Sequence, residues 1–159
     1  MPTLTQGNIF DAAERTPLAV VFGHIGFNLM SAHWRAFAER NPKLSDFSNP
    51  FQETHRQPIA WEEGRWLWMV PCADAEGLTE AEYETALGEA VAWALQNGIS
   101  SIVTNGAAER SLDMGRKNER AEWLIACSRT LEKSHGIAVE LISLSNVYLA
   151  TADAKSLRQ

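Results

Sequence analysis

The chain has 159 residues, 45% of them hydrophobic, and a formal net charge of -6. That is enough apolar material for one core in one domain of ordinary size, and it excludes a disordered chain. The acidic balance argues against general nucleic-acid binding, which rests on clustered Lys and Arg, but not against a nucleotide ligand, because a helix start holds a phosphate without net basicity.

LTQGNIF, with Leu4, Ile9 and Phe10, predicts a short strand ending in a turn at Gly7-Asn8. The continuous apolar run from Leu18 to Ile25 predicts a central strand covered on both faces. From Leu29 to Arg40, residues Leu29, Met30, His33, Trp34 and Phe37 recur at helical spacing. Asn28 or Ser31 suits the start of that helix, and Asn41-Pro42 stops it. Residues 43 to 58 are polar, contain Pro50 and Pro58, and read as an irregular surface segment. A hairpin follows, with strands Ile59 to Trp61 and Arg65 to Val70 around a Glu62-Glu63-Gly64 turn. Thr79 and Glu82 form a capping box for a helix through Tyr83, Leu87, Val91 and Leu95 that stops at Asn97-Gly98.

Ile99 to Thr104 is another short strand, ending in Asn105-Gly106-Ala107-Ala108. A helix over about Asn118 to Ser134 carries Trp123, Leu124, Cys127 and Leu131 and ends at His135-Gly136. Ile137 to Leu144 is the last strand, with Val147 to Ala150 as its extension. Strands alternating with helices predict an α/β fold with a mixed or mostly parallel sheet. One domain is expected over residues 1–150, with a frayed tail over 151–159. Cys72 and Cys127 fit neither a metal-ligand spacing nor a disulfide framework and suit a reducing compartment. No leader segment and no membrane-length apolar stretch is read, so the expectation is a cytoplasmic protein without a membrane partner.

In an open α/β sheet, ligands bind at the carboxyl ends of the strands. Two strand-to-helix junctions place small residues there, where backbone can approach a phosphate. The first offers Gly23, His24, Gly26, Phe27, Asn28 and Ser31. The second offers Thr104, Asn105, Gly106, Ala107 and Ala108. Asn8, followed by Ile9, stands at the end of the first strand, where its amide is placed to meet a base edge. For each of these an ordinary turn or packing role competes. His24 and His33 flank the first loop and are of the type suited to proton transfer, though a rim position is the commoner role. No spacing supports metal binding by His24, His33 and His55. Trp61, Trp66 and Trp68 read as core and sheet face, with base stacking as the alternative. Arg110, Arg116, Lys117 and Arg120 read as a solvated helix face or as phosphate partners.

These residues resemble the macro domain family, which binds ADP-ribose. QGNIFDA (Gln6 to Ala12) is similar to the opening Q-G-D-I element of that family. Ala19 to Pro42 resembles its second strand, first ligand loop and following helix. Glu84 to Ala108 resembles its helix, strand and second phosphate loop, and HGIAVELISL its closing strand. The resemblance implies a divergent, compact member with a three-layer α/β/α sandwich around a mixed central sheet. It also implies a cleft for ADP-ribose or a related nucleotide derivative, with no cofactor and no metal.

There are departures. The adenine-recognising Asp of the family falls at Asn8, whose amide oxygen makes a weaker hydrogen bond. HIGFNLMSAH is bulkier than the usual Gly-rich first loop, and NGAAERS replaces the second. The branch that removes ADP-ribose from glutamate uses a Lys after the hairpin and an Asp in the second loop; here WMVPCAD carries no Lys, and the nearest acids are Glu109 and Asp113. A hydrolase would draw on Asn28, His24, Glu109 and Asp113. A third reading is a macro-like interaction domain whose Phe27 and Leu29 fill the pocket. Oligomeric state is left open.

Overall fold

Every side chain from Leu18 to Phe22 is buried, so the apolar run lies inside a sheet covered on both faces. The computed structural model describes residues 2–24, 32–44, 47, 56–72, 79–105 and 114–157, of which residues 24, 32, 72, 114–117 and 154–157 are described in backbone only. The strands are β1 (Thr3–Gln6), β2 (Leu18–His24), β3 (Pro58–Glu62), β4 (Arg65–Cys72), β5 (Ser101–Thr104) and β6 (Ala138–Ser143). The helices are α1 (Ile9–Ala13), α2 (Ala32–Arg40), α3 (Glu80–Gln96), α4 (Met114–His135) and α5 (Val147–Leu157), with a 3-10 turn over Pro42–Leu44. The sheet order is β1-β6-β5-β2-β4-β3. All neighbours run parallel except β3, which returns antiparallel to β4 through the hairpin. Gly64 supplies the turn with φ of +74°, a conformation that other residues adopt at a cost.

Alternation along the strands divides the core in two. Leu18, Val20, Phe22, Ile102, Val139 and Leu141 pack under α3, α4 and α5, meeting Tyr83, Leu87, Leu124, Ile125 and Tyr148. Ala19, Val21, Leu67, Met69, Val103 and Ile142 pack against Ile9, Phe10 and Ala12 of α1 and Trp34 and Phe37 of α2. The result is the expected three-layer sandwich. The helix over Glu80–Gln96 starts as the sequence predicts: Thr79 Oγ1 accepts from Glu82 N, and Glu82 Oε1 accepts from Thr79 N. The Thr79 backbone N–H, and after it the Thr79 side chain, hold the Glu82 carboxyl below its ordinary range.

Three local expectations are corrected. Ile9 and Phe10 do not continue the first strand. Gly7 N still donates to Ser143 O, but Asn8 Oδ1 then accepts from Phe10 N and caps a helix. That turn lays Phe10 on Trp34 and Phe37, with ring centroids 5.6 and 5.3 Å apart. Val147 to Ala150 does not extend the last strand: Ser145 Oγ accepts from Val147 N and a helix begins. That helix runs to Leu157, with Thr151 buried one turn after Val147. The helix placed at about Asn118 begins at Met114.

Edge strand β1 is tied to β6 by more than its ladder. Arg15 donates through both terminal nitrogens to Glu140 at 2.8 Å each, and Thr5 Oγ1 donates to Glu140 Oε2 at 2.7 Å. Bidentate geometry of this kind is what separates a contributing surface pair from a decorative one. The Arg15 hydrogen bonds, opposed by desolvation and aided by Thr5, hold the Glu140 carboxyl below its ordinary value.

The carboxyl edge of the sheet holds a second tie. The β2–β5 ladder ends at Val20↔Thr104, while β2 runs on to His24. Asn105 continues the ladder with its side chain: Oδ1 accepts from Phe22 N at 2.9 Å and Nδ2 donates to Phe22 O at 3.1 Å. Its own carbonyl accepts from Tyr148 Oη at 2.8 Å, so α5 locks the same residue.

Two predictions follow from these ties. Folded Glu140 holds its proton more weakly than in the unfolded chain, so its contribution is present above the ordinary value of 4.5 and is lost as pH falls below it. Denaturant unfolding from pH 7 to pH 3 should therefore show a steeper acid loss in the wild type than in Glu140→Gln; parallel profiles would refute the coupling. Asn105→Ala removes two bonds to β2 and should lower unfolding free energy by about 2 kcal/mol in urea titrations. A loss under about 0.5 kcal/mol would show that the side chain does not join the strands.

Candidate functional site

All five parallel strands end on one edge. That edge gathers Gln6-Gly7-Asn8 from the end of β1, Ser143 at the end of β6, Thr104-Asn105 from the end of β5, Gly23-His24 at the end of β2 and Pro71-Cys72 at the end of β4. β2 and β5 are neighbours, yet the chain leaves them toward opposite layers. After β2 it reaches α2, which packs with α1 on one face. After β5 it reaches α4, which packs with α3 and α5 on the other. In open α/β sheets the carboxyl edge at such a divergence is the general ligand position. Phe22 turns its N–H and C=O toward β5, where Asn105 occupies them. Alternation along a strand makes His24 the next β2 residue whose backbone faces that side.

The sequence candidates distribute as follows. Gly23 is buried and pairs with Pro71, and His24 pairs with Cys72, so the end of β2 is laddered to β4 alone. Thr104 is fully buried, and among the described residues its Oγ1 meets no hydrogen-bond partner. Asn105 has its side chain committed to the Phe22 backbone of β2. Ile9 is buried in the first turn of α1. Gly26, Phe27, Asn28, Ser31, Gly106, Ala107, Ala108, Glu109 and Asp113 lie outside the described residues, as do His55 and Arg110.

Asn8 has two roles visible at once. Its Oδ1 accepts from Phe10 N at 3.0 Å, and its amide nitrogen lies 2.9 Å from His33 Nδ1. His33 is exposed and sits in the first turn of α2, so the contact bridges the end of β1 and the start of α2 at the carboxyl edge. Sequence reasoning placed Asn8 and His33 separately and did not pair them. Nothing local links positions 25 residues apart; the aromatic cluster of Phe10, Trp34 and Phe37 is what brings α1 and α2 together.

Other candidates fall away from this edge or into the core. Trp61 packs on Phe37 at 4.9 Å, and Trp66 and Trp68 pack on Trp93 at 5.1 and 6.0 Å, which are packing roles rather than an open stacking platform. Burial first, and then the carboxylates of Glu84 and Glu80, push the Cys127 thiol up to about 11, far from a reactive thiolate. That thiol lines an open cleft of about 290 Å³ between α3 and α4, with Glu80, Glu84 and Trp123. A second open cleft, about 490 Å³, lies at the far end of α4 beside Gly136 and Ile137. Neither belongs to the carboxyl edge. Among the described residues no His, Cys, Asp and Glu cluster has the makings of a metal site, and no helix is long and apolar enough to cross a membrane.

No protein-family model and no curated protein matches the sequence. Solved structures do match the fold. The macrodomain of Mycobacterium tuberculosis DarG aligns with 91% of this chain and 100% of its own, at TM-score 0.60 and 12% identity. The macrodomain of Thermus aquaticus DarG aligns with 90% of this chain and 98% of its own, at TM-score 0.58 and 16% identity. The IBV X-domain aligns with 98% of this chain and 99% of its own, at TM-score 0.57 and 14% identity. The likeness read from the opening Gln6 to Ala12 element, the two loops and the closing strand is therefore a likeness of whole architecture: this chain has the macrodomain fold, in a divergent sequence.

Proposed function

We propose that this chain binds ADP-ribose or a related nucleotide derivative in the crevice at the carboxyl edge of its sheet. The observation that supports this most is the divergence of the chain from adjacent strands β2 and β5 to opposite layers, within a macrodomain fold. Backbone N–H groups of the segment after Gly23 and of the segment after Asn105 would hold the diphosphate, with Gly26 and Gly106 to Ala108 as the small residues that permit close approach. Asn8, at the wall shared with His33, would meet the base. The net charge of -6 is compatible with this, because the proposed anion contacts are backbone dipoles rather than a basic patch.

Calorimetric titration of the purified protein with ADP-ribose should give saturable heat at one site per chain, and AMP should bind more weakly because it lacks the second phosphate and distal ribose. A ligand that binds only the folded form adds about 2.7 kcal/mol at a hundredfold excess over Kd, so thermal unfolding should move upward in parallel. Absence of both heat and thermal shift at millimolar ADP-ribose would overturn the proposal.

A further inference from the structure

The outer flank of α3 and α4 breaks three local rules at once. On α4, Trp123, Cys127 and Leu131 recur one turn apart; they pack against the core yet stay half-exposed. They form the apolar side of the open cleft of about 290 Å³ between the two helices. On α3, Glu80 and Glu84 line the same cleft. Carboxylates one turn apart, about 6 Å along the axis, repel each other and weaken a helix. Glu80, in the first turn, still complements the helix dipole, but Glu84 lies beyond its reach. Gly88 follows one turn later in the helix interior, where glycine costs stability against alanine. A Cβ placed there would meet nothing within 4 Å, so no packing contact demands the glycine.

Local rules broken together on one face mark a surface shaped for a partner rather than for the fold. Trp is a preferred interface anchor, a missing side chain lets another chain come close, and the charge at the rim selects the partner's sign. α3 carries four glutamates and no basic residue. Glu82 is committed to the Thr79 cap, and Glu89 pairs with Arg56 at 3.6 Å. Among the described residues Glu80 and Glu84 enter no ion pair, and no side chain lining the cleft is basic. A second copy seated face to face on this groove would set glutamate against glutamate, which disfavours self-pairing. We propose that the α3–α4 groove docks a basic amphipathic helix of another protein. The apolar face of that helix covers Trp123, Cys127 and Leu131, and its Lys or Arg residues, spaced one turn apart, meet Glu80 and Glu84. The net charge of -6 steers such a partner in. The groove is separate from the carboxyl edge, so this docking stands independently of ADP-ribose binding.

The test titrates the whole chain with a synthetic helical peptide of leucine, alanine and lysine, its lysines one turn apart beside a leucine face. Heat and backbone amide ¹H–¹⁵N shifts are followed. One peptide should bind per chain, with the largest shifts on α3 and on α4 around Trp123 to Leu131. A peptide of the same composition in scrambled order, and one with glutamate for lysine, should each bind about tenfold more weakly. The double variant Glu80→Gln, Glu84→Gln should lose about tenfold in affinity. Gly88→Leu fills the groove; it should lower affinity severalfold while its thermal transition holds or rises. A purely structural glycine predicts the reverse, a lowered transition with binding unchanged. Should Gly88→Leu fold poorly, the glutamine pair, at two exposed positions, decides. Absence of binding, equal binding of the scrambled peptide, shifts centred elsewhere or an affinity indifferent to the glutamine pair would each overturn the proposal. So would a dimer of the chain alone, seen by sedimentation, that Gly88→Leu dissociates, because the occupant would then be a second copy.

Discussion

The adjacency of β2 and β5, with β5 ending first, is the constraint on which the rest of this molecule depends. β2 is buried on both faces and laddered along its whole length to β4. On its other side the ladder stops at Val20↔Thr104, and one side chain, that of Asn105, carries it one step further. Without Asn105 the Phe22 backbone would leave a donor and an acceptor unmet, and such groups are expensive. Tyr148 from α5 holds the carbonyl of the same residue. The end of the β2–β5 pairing is thus set by a side chain that imitates backbone, backed by a helix from the other end of the chain.

The wall on the α1 and α2 side follows from a different force. Phe10, Trp34, Phe37 and Trp61 form a run of ring contacts that covers the sheet face of Ala19, Val21 and Met69. Those small and medium side chains leave room for large aromatics above them. The packing draws the start of α2 over the end of β1, and only then can Asn8 and His33 meet. A polar contact at the mouth is therefore positioned by apolar burial beneath it. The same face carries the Arg15–Glu140–Thr5 ties, which hold the edge strand whose turn presents Asn8.

Much of the fold was legible along the chain. The run from Leu18, the hairpin around Gly64, the Thr79–Glu82 box and the stop at Gly98 are local signals, and each stands where it was read. The errors have a common cause. Ile9 and Phe10 alternate well enough for a strand, but Asn8 caps a helix whose apolar residues are needed on α2. Val147 and Tyr148 look like more strand until α4 and β1 give them a surface to cover. In each case a short segment with no strong propensity took its form from a distant neighbour.

Sequence by itself determined the class of architecture, the identity of the central strand and the two junctions that flank the proposed site, because periodicity, caps and turn residues act within a few positions of themselves. Tertiary structure alone decided which strands lie side by side, that Asn105 is a post rather than an exposed loop residue, and that Asn8 faces His33. Those are contacts across 83 and 25 positions of chain. They depend on which layer each helix covers, and no short-range pattern encodes that choice.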